Sequence, residues 1–251
     1  MNFKNLHQQV SPLLICNVWD VTSAKIAEQL NFKAIGTSSA AIAAMLGYRD
    51  GEEMDFSELE YIVKRIKNNT SIPLSVDLES GYGDNPSEIM SNIKRLISLG
   101  VVGINLEDSI IGKKRTLLPA GQFSKIISEI KNQCTKENIN IFLNVRTDSF
   151  LLNQASPLSE TKKRSKCYEN AGADGIFIPG ITQENDIKNV VQDTHLPINV
   201  MCMPDLPDFE VLTSLGVKRI SMGNFLFDYI YNGVEMTINT ILKQKSFTPI
   251  F

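Results

Sequence analysis

The chain has 251 residues, 43% of them hydrophobic, and a formal net charge of -3. That length supports one barrel-sized core or two small ones, and a near-neutral charge without a basic stripe and interleaved aromatics excludes a nucleic-acid surface. No apolar run reaches the roughly 20 residues of a membrane span, and Met1-Asn2-Phe3-Lys4-Asn5-Leu6-His7 lacks the apolar stretch of a secretion signal, so a soluble, cytoplasmic protein with no membrane partner is expected.

From the N-terminus, His7 falls in a short helix, with a surface position expected for it. The first strand, Leu13 to Val18, leads into Asn17-Val18-Trp19-Asp20, where an open dinucleotide-binding sheet would carry G-x-G-x-x-G. The second strand, Ala34 to Thr37, runs into Thr37-Ser38-Ser39, whose hydroxyls taken alone read as loop groups. Phe56, Leu59, Ile62, Val63 and Ile66 then form the apolar stripe of a helix.

The third strand, Leu74 to Asp77, opens the most informative stretch, Val76-Asp77-Leu78-Glu79-Ser80-Gly81-Tyr82-Gly83. A strand period of two puts Asp77 and Glu79 on one face, with Val76 and Leu78 on the other. Adjacent like charges need a cation or a shared proton, and a hard divalent ion such as Mg2+ suits two carboxylates; a solvated polar turn is the alternative.

Asn85 as N-cap and Pro86 at the first position start the next helix, with Ile89, Ile93, Leu96 and Ile97 as its stripe and Gly100 at its close. The fourth strand, Gly103 to Leu106, meets Glu107-Asp108, which are either strand-end acids or the cap and first turn of a helix. Lys113-Lys114-Arg115 is a short basic cluster that suits solvent or a small anionic ligand. A helix at Phe123 to Lys131 precedes the fifth strand, Ile139 to Val145, which continues as Arg146-Thr147-Asp148. Asn144 and Arg146 share a face. The planar fork of Arg146 fits a carboxylate or phosphoryl group, or else an ion pair with Asp148 or Glu107.

Helices at Ser159 to Glu169, Glu184 to Val191, Asp208 to Ser214 and Phe225 to Leu242 alternate with strands at Gly175 to Ile178, Ile198 to Met201 and Arg219 to Ser221. His195 lies in a loop before Pro197, so neither histidine supports a metal site. Cys16, Cys134, Cys167 and Cys202 are dispersed, with no C-x-x-C, and read as reduced thiols of the core.

Eight apolar strands alternating with helices imply a parallel sheet covered on its outside, and the length is that of a single (β/α)8 barrel spanning one domain, residues 1–251. Active sites of such barrels lie at the C-terminal strand ends. Ser38, Ser39, Asp77, Glu79, Glu107, Asn144 and Arg146 would gather there. Oxygen ligands from Asp77, Glu79 and Glu107 opposite Arg146 suit a small dianionic substrate held between a divalent ion and a guanidinium.

Asn17-Val18-Trp19-Asp20, Gly36-Thr37-Ser38-Ser39-Ala40-Ala41, Leu46-Gly47-Tyr48-Arg49-Asp50, Asp77-Leu78-Glu79-Ser80-Gly81-Tyr82-Gly83, Leu106-Glu107-Asp108 and Asn144-Val145-Arg146-Thr147-Asp148 occur in the order seen in the isocitrate lyase/phosphoenolpyruvate mutase superfamily. The chain resembles its small phosphoenolpyruvate mutase-like and carboxyvinyl-carboxyphosphonate phosphorylmutase-like members. The resemblance implies Mg2+, with Mn2+ as a substitute, on Asp77, Glu79 and Glu107, and an enolate-forming reaction on a 2-oxo or 2-hydroxy acid. It implies that Ser38 and its neighbours, including Ser39, bind the substrate carboxylate, that Arg146 faces the other anionic end, and that Asp50 is the nucleophile or acid/base. Trp19, Asp77 and Asn144 join the substrate-binding set. The eighth helix, Phe225 to Leu242, is expected to exchange between subunits of a homodimer or homotetramer.

Three departures from the family pattern shape the expected activity. Lyases of the superfamily carry a Lys-Lys/Arg-Cys-Gly-His run, whereas Gly112-Lys113-Lys114-Arg115-Thr116-Leu117 has neither Cys nor His. The mutase's Lys-Thr-Asn-Ser gating run is absent. Glu79 stands where the family keeps an Asp, one methylene shorter. The resemblance therefore implies a Mg2+-dependent lyase or decarboxylase cleaving a C–C bond of a small 2-oxo or 2-hydroxy (di)carboxylate. P–C bond chemistry as in phosphoenolpyruvate mutase or phosphonopyruvate hydrolase, and a non-catalytic carboxylate-binding protein, are the alternatives.

Overall fold

The computed structural model describes residues 3–111 and 114–251; Gly112 and Lys113 of the basic run lie outside the described residues. In chain order come β1 (Leu13–Val18), α1 (Val21–Gln29), β2 (Ile35–Thr37), α2 (Ser39–Leu46), α3 (Phe56–Lys67), β3 (Leu74–Asp77), α4 (Pro86–Ser98), β4 (Gly103–Glu107), β5 (Ser109–Ile111) and β6 (Arg115–Leu117). They are followed by α5 (Ala120–Lys136), β7 (Phe142–Arg146), α6 (Pro157–Asn170), β8 (Gly175–Ile178), α7 (Glu184–Asp193), β9 (Ile198–Met201), α8 (Phe209–Ser214), β10 (Arg219–Ser221) and α9 (Phe225–Gln244). Short 3-10 helices lie at Phe3–Gln8 and Thr248–Ile250.

The parallel strands close into a barrel in the order β1-β10-β9-β8-β7-β4-β3-β2, while β5 and β6 form a separate antiparallel hairpin at the mouth. The expected strands are all present. The largest shift is in β7, because the backbone N–H of Ile139 is taken by the Cys134 carbonyl at 2.8 Å, holding the approach to the strand against α5. Asn85 caps α4 as expected, accepting from the N–H groups of Ser87 and Glu88 at 3.1 Å, and Gly100 just past its end has φ 87.

Two helices and the hairpin carry no periodic signal in the sequence. Ser39–Leu46 is small and apolar all round, so its boundaries come from Ser38, whose Oγ accepts from the Ala41 N–H at 3.3 Å, and from Gly47 in the left-handed region. Asp20 and Ser23 close α1 with a capping box. Glu107 and Asp108 are not a helix start: Glu107 ends β4 and Asp108 links it to β5.

Outward strand residues such as Val76, Ile104, Leu106 and Val145 are fully buried beneath the helix stripes, including Leu59, Val63, Ile66, Ile93 and Leu96. Each contributes roughly 1.5–3 kcal/mol on full burial. The barrel interior is different. Its floor is an apolar plug of Phe3, Leu6, Leu13, Ile15, Ala34 and Phe142, and the plug needs Gly103, where a Cβ would meet the Phe3 ring at 2.7 Å.

His7 belongs to this floor, not to the surface. It is 3% exposed, its ring stacks on Phe142 at 4.1 Å, and Nδ1 donates to the Phe3 carbonyl at 3.1 Å, leaving Nε2 without a partner. Burial lowers its pKa to about 3. Above the plug the interior is polar: Asn144 donates to Asn105 and Asn199, and Arg219 Nη2 reaches Asn105 Oδ1 at 3.4 Å and Ser75 Oγ at 3.5 Å. Nε and Nη1 of Arg219 have no partner among the described residues, and burial lowers its pKa to about 10.

All four cysteines are free; Cys16 and Cys134 are buried as expected, but Cys167 is half-buried and Cys202 is exposed. Along α9 only Phe227 is buried, and Tyr229, Met236 and Leu242 stand 77%, 65% and 67% exposed. Among the described residues no helix is long and apolar enough to cross a membrane.

Candidate active site

The strand ends build a cavity of about 260 Å3 lined by Asn17, Ser38, Ser39, Ala40, Asp50, Asp77, Asn105, Arg115, Arg146, Phe177 and Met201, among others. Asp77 is the last residue of β3, and it is held from three sides. Its N–H donates to Thr37 Oγ1 at 2.8 Å, its Oδ2 accepts from Ser39 Oγ at 2.8 Å, and its Oδ1 accepts from Asn105 Nδ2 at 3.3 Å. Ser38 caps α2, so the positive end of that helix opens onto the cavity through Ser39 and Ala40.

Two arginines form the facing wall. Arg146 ends β7 and grips Asp148 with both edges, Nε to Oδ1 at 2.6 Å and Nη2 to Oδ2 at 3.1 Å. Its Nη1 lies 3.1 Å from Oε2 of Glu107 but out of line for a hydrogen bond, so that buried oxygen has no donor among the described residues. Arg115, from β6, bridges Glu107 Oε1 at 2.6 Å, Asp148 Oδ2 at 3.1 Å and Asp50 Oδ2 at 2.9 Å. Burial raises the pKa of Glu107 against the pull of both guanidiniums. Burial pushes Asp148 the same way, but Arg146, Ser109 and Arg115 together outweigh it and hold Asp148 below the usual carboxylate range.

Glu79 does not continue the face of Asp77. The strand ends at Asp77 and Glu79 turns to φ 50, so its buried carboxylate accepts from the Glu52 N–H at 2.9 Å and from Tyr82 Oη at 2.5 Å. Burial raises its pKa to about 8. With Glu107 it lines a neighbouring cavity of about 440 Å3, apart from the one that holds Asp77.

Residues 3–242 match the family model described as Phosphoenolpyruvate phosphomutase. The chain belongs to the phosphoenolpyruvate phosphomutase family. It is an enzyme of the phosphoenolpyruvate mutase/isocitrate lyase superfamily. It is 32% identical to an uncharacterized protein of Mycobacterium tuberculosis over 89% of this chain and 82% of the relative. The phosphoenolpyruvate phosphomutase of Tetrahymena pyriformis is 29% identical, covering 98% and 85%, and an oxaloacetate decarboxylase of Rhodopseudomonas palustris 28%, covering 83% and 72%. A Burkholderia cenocepacia structure described as a phosphonomutase superposes with a TM-score of 0.86 at 33% identity, covering 96% of this chain and 97% of that one. A phosphonopyruvate hydrolase structure in complex with oxalate and Mg2+ shares the fold, with a TM-score of 0.85 at 20% identity over 98% and 89%.

Members of the phosphoenolpyruvate phosphomutase family invite a test of this site for Mg2+. Among the described residues no three His, Cys, Asp or Glu side chains converge on one ion, so an all-protein cage is absent. Mg2+ characteristically keeps several waters and takes only one or two carboxylates. Asp77 offers a partly exposed carboxylate to the cavity, and Glu107 Oε2 is a buried oxygen without a donor. Among the described residues Asp50, Glu107 and Asp148 share the Arg115 guanidinium, and no ion pair engages Asp77. Hard oxygen donors with an excess of negative charge fit a hydrated Mg2+ ion.

Of the residues singled out in the sequence, Ser38, Ser39, Asp50, Asp77 and Arg146 come together in the family's barrel mouth. Asn144 sits one layer below, 1% exposed, supporting Asn105. Trp19 is turned away, packing edge-on against Phe227 at 5.2 Å. Arg115 belongs to the basic cluster that suits a small anionic ligand, whereas Asn105 and Glu52 are missed by the sequence reading. Asn105 could have been found, since it shares the inward face of β4 with Glu107 as Asn144 does with Arg146. Glu52 comes to lie beside Glu79 through loop folding, which leaves no local pattern.

Proposed function

We propose that this enzyme is a Mg2+-dependent lyase or decarboxylase that cleaves a carbon–carbon bond of a small 2-oxo or 2-hydroxy dicarboxylate of oxaloacetate-like size. The observation that carries this reading is the cavity itself, with Asp77 and the start of α2 on one wall and the guanidinium groups of Arg115 and Arg146 on the other. Its volume of about 260 Å3 suits a small acid. The oxaloacetate decarboxylases among the relatives support the same chemistry.

Mg2+ (or Mn2+) held at Asp77 would act as a Lewis acid toward the charge that develops on the substrate's 2-oxo oxygen. Ser38, Ser39 and Ala40 present the N-terminus of α2, a seat for the adjacent carboxylate. Arg146 and Arg115 face the distal carboxylate and orient it. In decarboxylation the bond to that carboxylate breaks, its electron pair moves into the 2-oxo group, and the carbon left behind takes up a proton. Asp50, at the cavity rim beside Arg115, is the proton carrier in this scheme. Phe177, Met201 and Met203 supply an apolar wall that limits access of water.

The test is pyruvate release from oxaloacetate, measured above the rate that Mg2+ alone produces. Asp77→Ala should abolish the enzymatic part; unchanged Mg2+-dependent turnover in that variant would sink the proposal. Asp50 in the same cavity favours a second reading, in which its carboxylate attacks phosphorus of phosphonopyruvate. Phosphorus NMR separates the two, since conversion of phosphonopyruvate with no action on oxaloacetate would replace the first reading by the second. Thermal stabilisation by oxalate without turnover of either acid would leave a carboxylate-binding protein.

We also infer that α9 packs on a second copy of the chain, in a homodimer or homotetramer. Its flank is apolar and exposed, and beside its first turns a groove of about 520 Å3 lies open, lined by Trp19, Ile26, Leu30, Phe32 and Met222. An exchanged α9 would cover both surfaces.

A further inference from the structure

We propose that Glu79 is not a metal ligand but a positioning residue, which clasps the loop of residues 47–55 onto the turn after β3 and so sets Asp50 over the cavity. The inference starts from a reciprocal exchange of hydrogen bonds. Glu79 Oε2 accepts from the backbone N–H of Glu52 at 2.9 Å, while Glu52 Oε1 accepts from the N–H groups of Ser80 and Tyr82, each at 2.9 Å, and from Ser80 Oγ at 2.8 Å. Both glutamates have φ in the left-handed region, 60 for Glu52 and 50 for Glu79. A non-glycine residue holds that conformation only where its surroundings impose it. Here each carboxylate closes on the other's turn.

One side of the clasp is an anchor. Tyr82 Oη donates to Glu79 Oε1 at 2.5 Å, and Asn92 on α4 holds the carbonyls of Gly81 and Tyr82 at 3.1 and 2.8 Å. Gly81 is wedged against Ile89, where a Cβ would stand 2.7 Å away. The other side is the loop that carries Asp50, two residues before Glu52. Asp50 pairs with Arg115 at 2.9 Å, and Met54, buried at 1% exposure, pins the far end of the loop.

Both oxygens of Glu79 already accept a hydrogen bond that holds the carboxylate in the clasp. Turning its carboxylate toward Asp77 would strand two buried donors, the Glu52 N–H and the Tyr82 hydroxyl, and such groups are costly to leave unpaired. Glu79 is 3% exposed. The length of Glu79 is what the clasp requires, because an Asp at this turn falls one methylene short of spanning Glu52 and Tyr82 together.

Glu79→Gln and Glu79→Asp distinguish a clasp from a ligand because the two roles predict opposite outcomes. The Gln amide can accept from Glu52 and donate to Tyr82 Oη, keeping the clasp without the charge; Asp keeps the charge and loses the reach. Two readouts serve, both independent of turnover: Mn2+ affinity by electron paramagnetic resonance, and the rate of tryptic cleavage after Arg49, whose side chain is 89% exposed on the loop. We expect E79Q to match the wild type within about twofold in both, and E79D to be cleaved about tenfold faster with Mn2+ affinity changed less than about threefold. A loss of Mn2+ affinity of about tenfold or more in E79Q, with E79D equal to wild type in both readouts, would overturn the proposal.

Should E79D fail to fold, Glu52→Ala removes the other half of the clasp. It should accelerate the cleavage and leave Mn2+ affinity alone, and unchanged cleavage would count against the clasp. The role of Asp50 in turnover rests on the proposed lyase reading, but the clasp does not. If the wild type neither binds Mn2+ nor acts on oxaloacetate, that reading fails, while the cleavage rates still decide the clasp.

Discussion

Asp108 shows how the chain keeps a carboxylate fully buried beneath the mouth. It accepts from Tyr168 Oη at 2.6 Å and Arg164 Nη1 at 2.8 Å, and its Oδ1 receives the N–H of Asp148 at 3.3 Å, which fixes the partner of Arg146. Burial raises the Asp108 pKa, and the tyrosine and arginine offset only part of that rise. Tyr168→Phe should therefore cost roughly 1.5–3 kcal/mol of stability, measured by urea unfolding, and a loss below about 0.5 kcal/mol would contradict the arrangement. Single residues were legible in the sequence where a strand end dictated their place: Asp77, Arg146 and the Ser38-Ser39 pair follow from barrel geometry alone. Glu79 was placed on the face of Asp77 because the period of two was carried one turn too far, past the point where φ changes sign. Trp19, which the resemblance puts in the substrate-binding set, lies beyond the last residue of β1 and packs against Phe227 on α9.

Among the elements, α9 is the one whose surroundings are least complete. Tyr229, Ile230, Tyr231, Val234, Met236, Ile238 and Leu242 leave apolar area exposed along the helix, more than the surface helix of a monomer carries. Light scattering should give a mass of two or four chains, and the double change Met236→Asp with Leu242→Asp should shift it toward the monomer; a wild-type monomer at micromolar concentration would refute the exchange. Other elements were readable to different degrees. The strands were found because each is a short apolar run between turn signals, and α3 and α4 because one face is apolar and the other charged. Helix α2 was invisible because both of its faces are buried or small, and the β5–β6 hairpin because its pairing is decided by the barrel mouth beneath it.

For the molecule as a whole, the floor ties stability to pH. The folded state binds a proton at His7 only near pH 3, whereas an unfolded histidine binds it near 6.5. Protons are thus taken up on unfolding throughout that window, so the stability is complete above pH 6.5 and falls as the pH drops toward 3. Relative to pH 8, the wild type should lose about 2 kcal/mol more than His7→Phe at pH 5, read from denaturant midpoints; parallel pH profiles would show that His7 is not the cause. Directly above this floor lies the polar interior of Asn105, Asn144, Asn199, Ser75 and Arg219, in which each group serves as donor or acceptor for another. A change to any one of them strands its neighbours in a place that water reaches poorly, so a lineage can hardly alter the set one residue at a time. Room for different substrates is left to the rim, where Leu151 and Phe225 line the cavity above this layer.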